Sequence, residues 1–211
     1  MTRVWFLLLG AAALMIFALV ILVLIPMAML YEQPVAEELQ PYSEHELRGR
    51  QVYIAEGCIY CHSQQVRDSS FTTDEARGWG RPSQPADYAY DQPHLLGSMR
   101  TGPDLINVGA RIPDRQWHLL HLYQPRALVP WSIMPGYPYL FEWKDEAGPG
   151  EEVVSVPEPY ARSGQVLVAR PEAEYLVDYL ISLDRTYPIG EAAQTGDTPA
   201  SGEDGEAQHG E

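Results

Sequence analysis

The feature that most constrains this chain is Cys58-Ile-Tyr-Cys-His62. It reads C-x-x-C-H, the attachment signature of a c-type haem. Two thiols at that spacing can form thioether bonds to two vinyl groups of one porphyrin. His62, next in the chain, then lies against the iron as its proximal ligand. The plainer readings fit less well. A redox Cys-x-x-Cys belongs with a βαβ pattern, and none surrounds it. A structural zinc site uses four Cys/His ligands, and the chain has two cysteines in all. The motif therefore predicts one covalently bound haem c, held by Cys58 and Cys61 with His62 on the iron. It also places the domain on the oxidising side of a membrane.

The second constraint lies at the N-terminus. Arg3 is followed by a run from Val4 to Tyr31 without a charged side chain. That exceeds the ~20 apolar residues a helix needs to cross a bilayer. It is also about twice the apolar core of a cleavable signal peptide, roughly 7–15 residues. We expect residues 1–31 to be a transmembrane anchor. Arg3 weakly favours a cytoplasmic N-terminus, which agrees with a haem domain outside the bacterial inner membrane. The formal net charge of −15 argues against nucleic acid as a partner.

Residues 32–42, with two prolines and acidic side chains, look like a spacer. The domain then spans 43–190. Ser43-Glu-His-Glu46 is a capping box for a helix over about 44–57 that leads into the haem motif. Residues 63–93 are polar, aromatic and irregular, which predicts a long surface loop. Its aromatics, Phe71, Trp79, Tyr88 and Tyr90, either contact a partner or cover the haem's flank. Pro113-Asp114 starts a short helix, RQWHLLHLY, which Pro125 closes. Residues 144–170 are acidic and Gly/Pro-rich and read as an insertion or small hairpin. Pro171-Glu-Ala-Glu174 opens a last helix, with proline at its first position and acids in its first turn. Residues 191–211 hold six acids and no Lys or Arg, the composition of a disordered tail.

A His-ligated haem needs a decision on its other axial side, because methionine there marks an electron-transfer cytochrome. Four of the six methionines fall in residues 1–31. Met134 sits in Pro130-Trp-Ser-Ile-Met-Pro135, a loop whose prolines can hold a thioether at fixed distance. Met99 precedes Arg100 in a Gly-rich stretch and looks more like wall. Met134 is the favoured ligand, with Met99, or a histidine among His94, His118 and His121, as the alternatives. The expected architecture is an all-α, class I-like cytochrome c domain with long loops behind a single transmembrane helix. Arg100 and Arg126 flank its haem-side segments and are candidates to pair a haem propionate.

These pieces resemble a known family. Gly57-Cys-x-x-Cys-His-Ser-Gln64, Arg100-Thr-Gly-Pro-Asp-Leu105, Trp117-His118 and Ser132-Ile-Met-Pro135, in that order behind an anchor, look like the monohaem subunit (subunit II) of cbb3-type cytochrome c oxidases. The resemblance implies Met134 as the distal ligand, and a carbonyl near Pro103 to fix the His62 tautomer. It implies single-electron relay to a large multi-span haem–copper subunit that reduces O2, with other c-type cytochromes as donors. The polypeptide itself would be a non-catalytic subunit of the oxidase complex. The alternatives are the cytochrome subunit of a nitric oxide reductase, a freestanding anchored carrier, and an anchored haem-based gas sensor.

Overall fold

The computed structural model describes residues 2–31 and 35–188. The acidic tail lies outside the described residues. The chain begins with α1 (Thr2–Leu19), a π-helical turn (Val20–Leu24) and α2 (Ile25–Tyr31). Together they give one 28-residue apolar helix, Arg3–Leu30, with mean hydropathy 3.1 and no buried residue. At 1.5 Å per residue it is about 42 Å long, enough to cross a hydrocarbon core about 30 Å thick. The π turn ends just before Pro26, whose missing N–H cannot continue the regular ladder. This helix is a candidate membrane anchor.

The domain is organised on the crossing of α3 (Glu44–Ala55) and α6 (Pro171–Ser182). The capping box forms as its sequence predicts. Ser43 Oγ accepts from Glu46 N at 3.3 Å, and Glu46 Oε2 accepts from Ser43 N at 2.6 Å. Gly49 lies at the crossing point. A Cβ added there would stand 1.8 Å from the Tyr175 carbonyl oxygen and 2.8 Å from Tyr179 Cβ. Only hydrogen fits, so the helices meet with the Gly49 backbone against the Tyr175 backbone, and Tyr53 meets the Tyr179 ring at 5.6 Å. Gly49→Ala should therefore lower stability by about 1–3 kcal/mol through overpacking. Thermal denaturation of the purified protein measures it, and an unchanged midpoint would mean the crossing relaxes freely.

α4 (Val108–Arg111) and α5 (Arg115–Tyr123) follow the haem-motif region. Asp114 caps α5, its Oδ1 accepting from Gln116 N and Trp117 N. α5 lays Leu119, Leu120 and Leu122 into a core shared with Leu176, Val177, Tyr179, Leu180 and Leu183.

The domain is not all-α. A three-stranded antiparallel sheet of order β1-β3-β2 is built from β1 (Phe141–Lys144), β2 (Val153–Val154) and β3 (Val166–Ala169). Phe141 pairs with Ala169, and Val153 with Val168. The stretch 144–170 is more than an external appendage. Its Val154, Leu167 and Ala169 join the same core as α5 and α6.

Residues 63–93 are ordered without long elements. Two short 3-10 turns, Glu75–Arg77 and Pro85–Tyr88, fold this stretch back on itself. Val66 and Tyr88 close over Ile106 as a second small core, with Trp79 and Leu96 against it. Phe71 points outward, 82% exposed.

Candidate functional site

α3 runs into a tight 3-10 turn, Cys58–Tyr60. Cys61 N donates to Cys58 O at 3.1 Å and His62 N donates to the same oxygen at 2.9 Å. One turn of backbone therefore carries both cysteines and the histidine. All three line a cleft of about 620 Å³, faced by Trp117 and His121 of α5 and by the 129–135 loop with Met134. A recess of about 100 Å³ adjoins it, lined by His62, Arg111, His118, His121 and Met134 among others. His62 and Met134 border both spaces.

His62 Nδ1 donates to the Pro103 carbonyl oxygen at 2.8 Å. That bond selects the tautomer with Nε2 as the lone-pair nitrogen, the form that ligates iron. Gly102 makes the approach possible, since a Cβ there would lie 2.3 Å from His62 Cε1. Burial lowers the His62 pKa, and the Pro103 carbonyl and Asp104 only partly oppose it. The ring is thus neutral at neutral pH. Burial pushes the Cys58 thiol up to about 12, with Glu56 adding to the effect. Cys61 is exposed, and neither cysteine is in a disulfide.

The methionine loop that lines the same cleft is fixed at several points. Ser132 N bonds Val129 O at 2.9 Å, Met134 N bonds Ser132 Oγ at 3.2 Å, and Tyr137 N bonds Leu122 O at 2.8 Å. Met99 is 59% exposed and does not line the cleft. The three alternative histidines separate clearly. His94 Nδ1 meets Asp91 O, and His118 Nε2 meets Ile112 O, each within hydrogen-bond distance. Only His121 faces the cleft. It stacks on Trp117 with ring centroids 4.6 Å apart and 13° between planes.

The two arginines expected near the propionates do not line the cleft. Arg126 is exposed. Arg100 turns the other way, to Asp74, Ser63 and Gln65. The structure brings a different pair forward. Arg111 lines the recess, donates to the Asp104 and Asn107 carbonyls, and has no carboxylate ion pair among the described residues. Burial lowers its pKa, opposed by Asp104. His121 Nδ1 is buried with no hydrogen-bond partner. Sequence reasoning missed Arg111 because nothing in Val-Gly-Ala-Arg111 marks the side chain as turned inward.

These observations test whether a haem fits. The cleft is mainly apolar, as a porphyrin face requires. It carries an imidazole and a thioether as iron donors, and a cysteine pair at its edge. The adjoining recess presents the Arg111 guanidinium and the unpartnered Nδ1 of His121, polar groups that the acidic edge of a haem can engage. The residues fit the group.

Among known families, the chain matches the one described as "Cytochrome C oxidase, mono-heme subunit/FixO" over residues 1–157. No curated protein matches it.

Proposed function

The chain belongs to the mono-haem subunit family of cytochrome c oxidase, of the cbb3 type, and from that membership we propose that it relays single electrons through one covalently bound haem c to the catalytic subunit of its oxidase. The family implies a haem and a complex with a catalytic oxidase subunit. The finer reading rests on one observation: His62, Met134, Cys58 and Cys61 all border a single cleft.

In this reading Cys58 and Cys61 would hold the haem by thioethers, and His62 and Met134 would ligate its iron, within a class I-like domain. The haem, when bound, supplies a one-electron Fe(III)/Fe(II) couple. The chain's own residues do the rest. Pro103 holds the Nδ1 proton of His62 and so orients the ring. The 129–135 loop fixes the thioether and, with Trp117, keeps water from the apolar faces. Arg111 and His121 bind the carboxylate edge, the role first expected of Arg100 and Arg126. Residues 1–31 anchor the domain in the bacterial inner membrane, with the N-terminus cytoplasmic and the haem domain periplasmic, served by c-type cytochrome donors.

Purification in mild detergent tests the assignment. The expected result is co-purification of a large multi-span haem–copper subunit with O2 reductase activity. Isolation as a lone cytochrome would favour a freestanding carrier, and a nitric oxide reductase partner would favour the other alternative.

A further inference from the structure

Arg100 is a haem-edge candidate by sequence, but the structure commits it to the seam behind His62. Segment 100–105 is zipped onto 61–65 by two backbone bonds, Gly102 N to Cys61 O at 2.9 Å and Leu105 N to Ser63 O at 2.8 Å. Between them sits Pro103, whose carbonyl meets His62. Side chains close the same seam. Arg100 Nε donates to Ser63 Oγ at 2.8 Å, Nη2 to the Gln65 carbonyl at 2.5 Å, and Nη1 to Asp74 Oδ1 at 2.5 Å. Ser63 Oγ in turn donates to Asp104 Oδ2 at 2.5 Å, which also accepts from Gln65 N at 2.8 Å.

Asp74 and Asp104 are 2% and 0% exposed. Asp74 comes from the 63–93 stretch, and its Oδ2 is held by Arg67 N at 2.8 Å. Burial alone would raise its pKa, but donors from Arg100, Arg67 and Thr72 more than offset that and hold it below the ordinary value. Trp79 covers the guanidinium face at 5.3 Å. A planar fork with three different acceptors is a task for arginine and not for lysine.

We propose that Arg100, locked by Asp74, is a positioning residue for the axial imidazole: it fixes segment 100–105 so that the Pro103 carbonyl keeps its hold on His62 Nδ1–H. This rests on the reading of His62 as an iron ligand. The hydrogen bond makes the imidazole a stronger donor, which favours the ferric state. Loosening the seam weakens the bond and raises the reduction potential. This also gives the irregular 63–93 stretch a purpose, since it carries the counter-ion.

The sign of the shift separates this role from plain electrostatics. Loss of the Asp74 charge raises the potential by either route. Arg100→Gln removes a positive charge, which by electrostatics alone lowers the potential, whereas loosening the seam raises it. Arg100→Lys keeps the charge and loses the fork. The experiment is redox titration of the purified haem-loaded protein and of the Arg100→Lys, Arg100→Gln and Asp74→Asn variants. Exchange of the His62 Nδ1 proton is followed alongside by NMR. Expected are upward shifts in all three and ring-proton exchange several-fold faster than in the parent. No shift in Arg100→Lys, or a downward shift in Arg100→Gln, overturns the proposal. So does unchanged ring-proton exchange, which would leave the network a merely structural one. Should Asp74→Asn or Arg100→Gln fail to accumulate, Arg100→Lys alone decides. A parent protein without His62 on the iron would overturn the underlying haem reading as well, and its absorption spectrum reports that separately.

Discussion

Cys58→Ala with Cys61→Ala should give a chain with no haem on a denaturing gel, and each single substitution should remove one thioether. The chain has two cysteines, so no third thiol can substitute. Both border the cleft, and the tight turn from Cys58 to His62 fixes their spacing through bonds to one carbonyl. The two positions differ in environment. Cys58 is half-buried with its thiol pushed up to about 12 by burial, whereas Cys61 is exposed. Accumulation of the subunit should fall too, because an open apolar cleft of this size leaves a domain of about 150 residues without part of its buried surface. Haem staining and intact mass check it. A normal covalent signal from the double variant would end the haem reading.

Which parts of the molecule were legible in the sequence follows from how local each signal is. The apolar N-terminal helix, the Ser43 capping box, the bounds of α5 and the proline start of α6 are set by residues within a few positions of one another, and the structure has them where the sequence puts them. The sheet was not legible as such. Its strands are two to four residues long, too short for an alternating pattern to declare itself, and β1 pairs with β3 across more than twenty residues of Gly- and Pro-rich chain. The end of α6 is a similar case. The helix stops at Ser182, and Arg185 lies beyond it. Arg185 turns inward, 4% exposed, to the Asp87 carbonyl and the Tyr42 hydroxyl.

The candidate site divides on the same line. C-x-x-C-H is contiguous, and the Pro-bounded Met134 loop announces itself. The roles of arginines depend on partners far away in sequence. Arg100 looked haem-facing because it stands beside Gly102 and Pro103, yet its counter-ion, Asp74, comes from a loop 26 residues earlier. Arg111 and His121 converge only when α4 and α5 are folded around one recess.

Met134→His should keep the haem bound and low-spin, lower its reduction potential, and slow electron delivery to the oxidase. Methionine sulfur is a soft ligand that favours the ferrous state relative to a second imidazole. The ferric parent should show the weak near-infrared sulfur-to-iron charge-transfer band, and Met134→His should lose it. The structure makes the control sharp. Met99 lies outside the cleft at 59% exposure, so Met99→Leu should leave the band in place. Of the alternative distal histidines His94, His118 and His121, only His121 borders the cleft, and its stack on Trp117 at 4.6 Å holds the ring to the helix. His121→Phe should therefore keep the band as well, while loosening the carboxylate end of the site. If the band survives in Met134→His and vanishes in Met99→Leu, the distal ligand is the wrong methionine. If the parent shows no band and His121→Phe turns high-spin, the iron has two histidines and the rigid 129–135 loop serves only to wall the cleft.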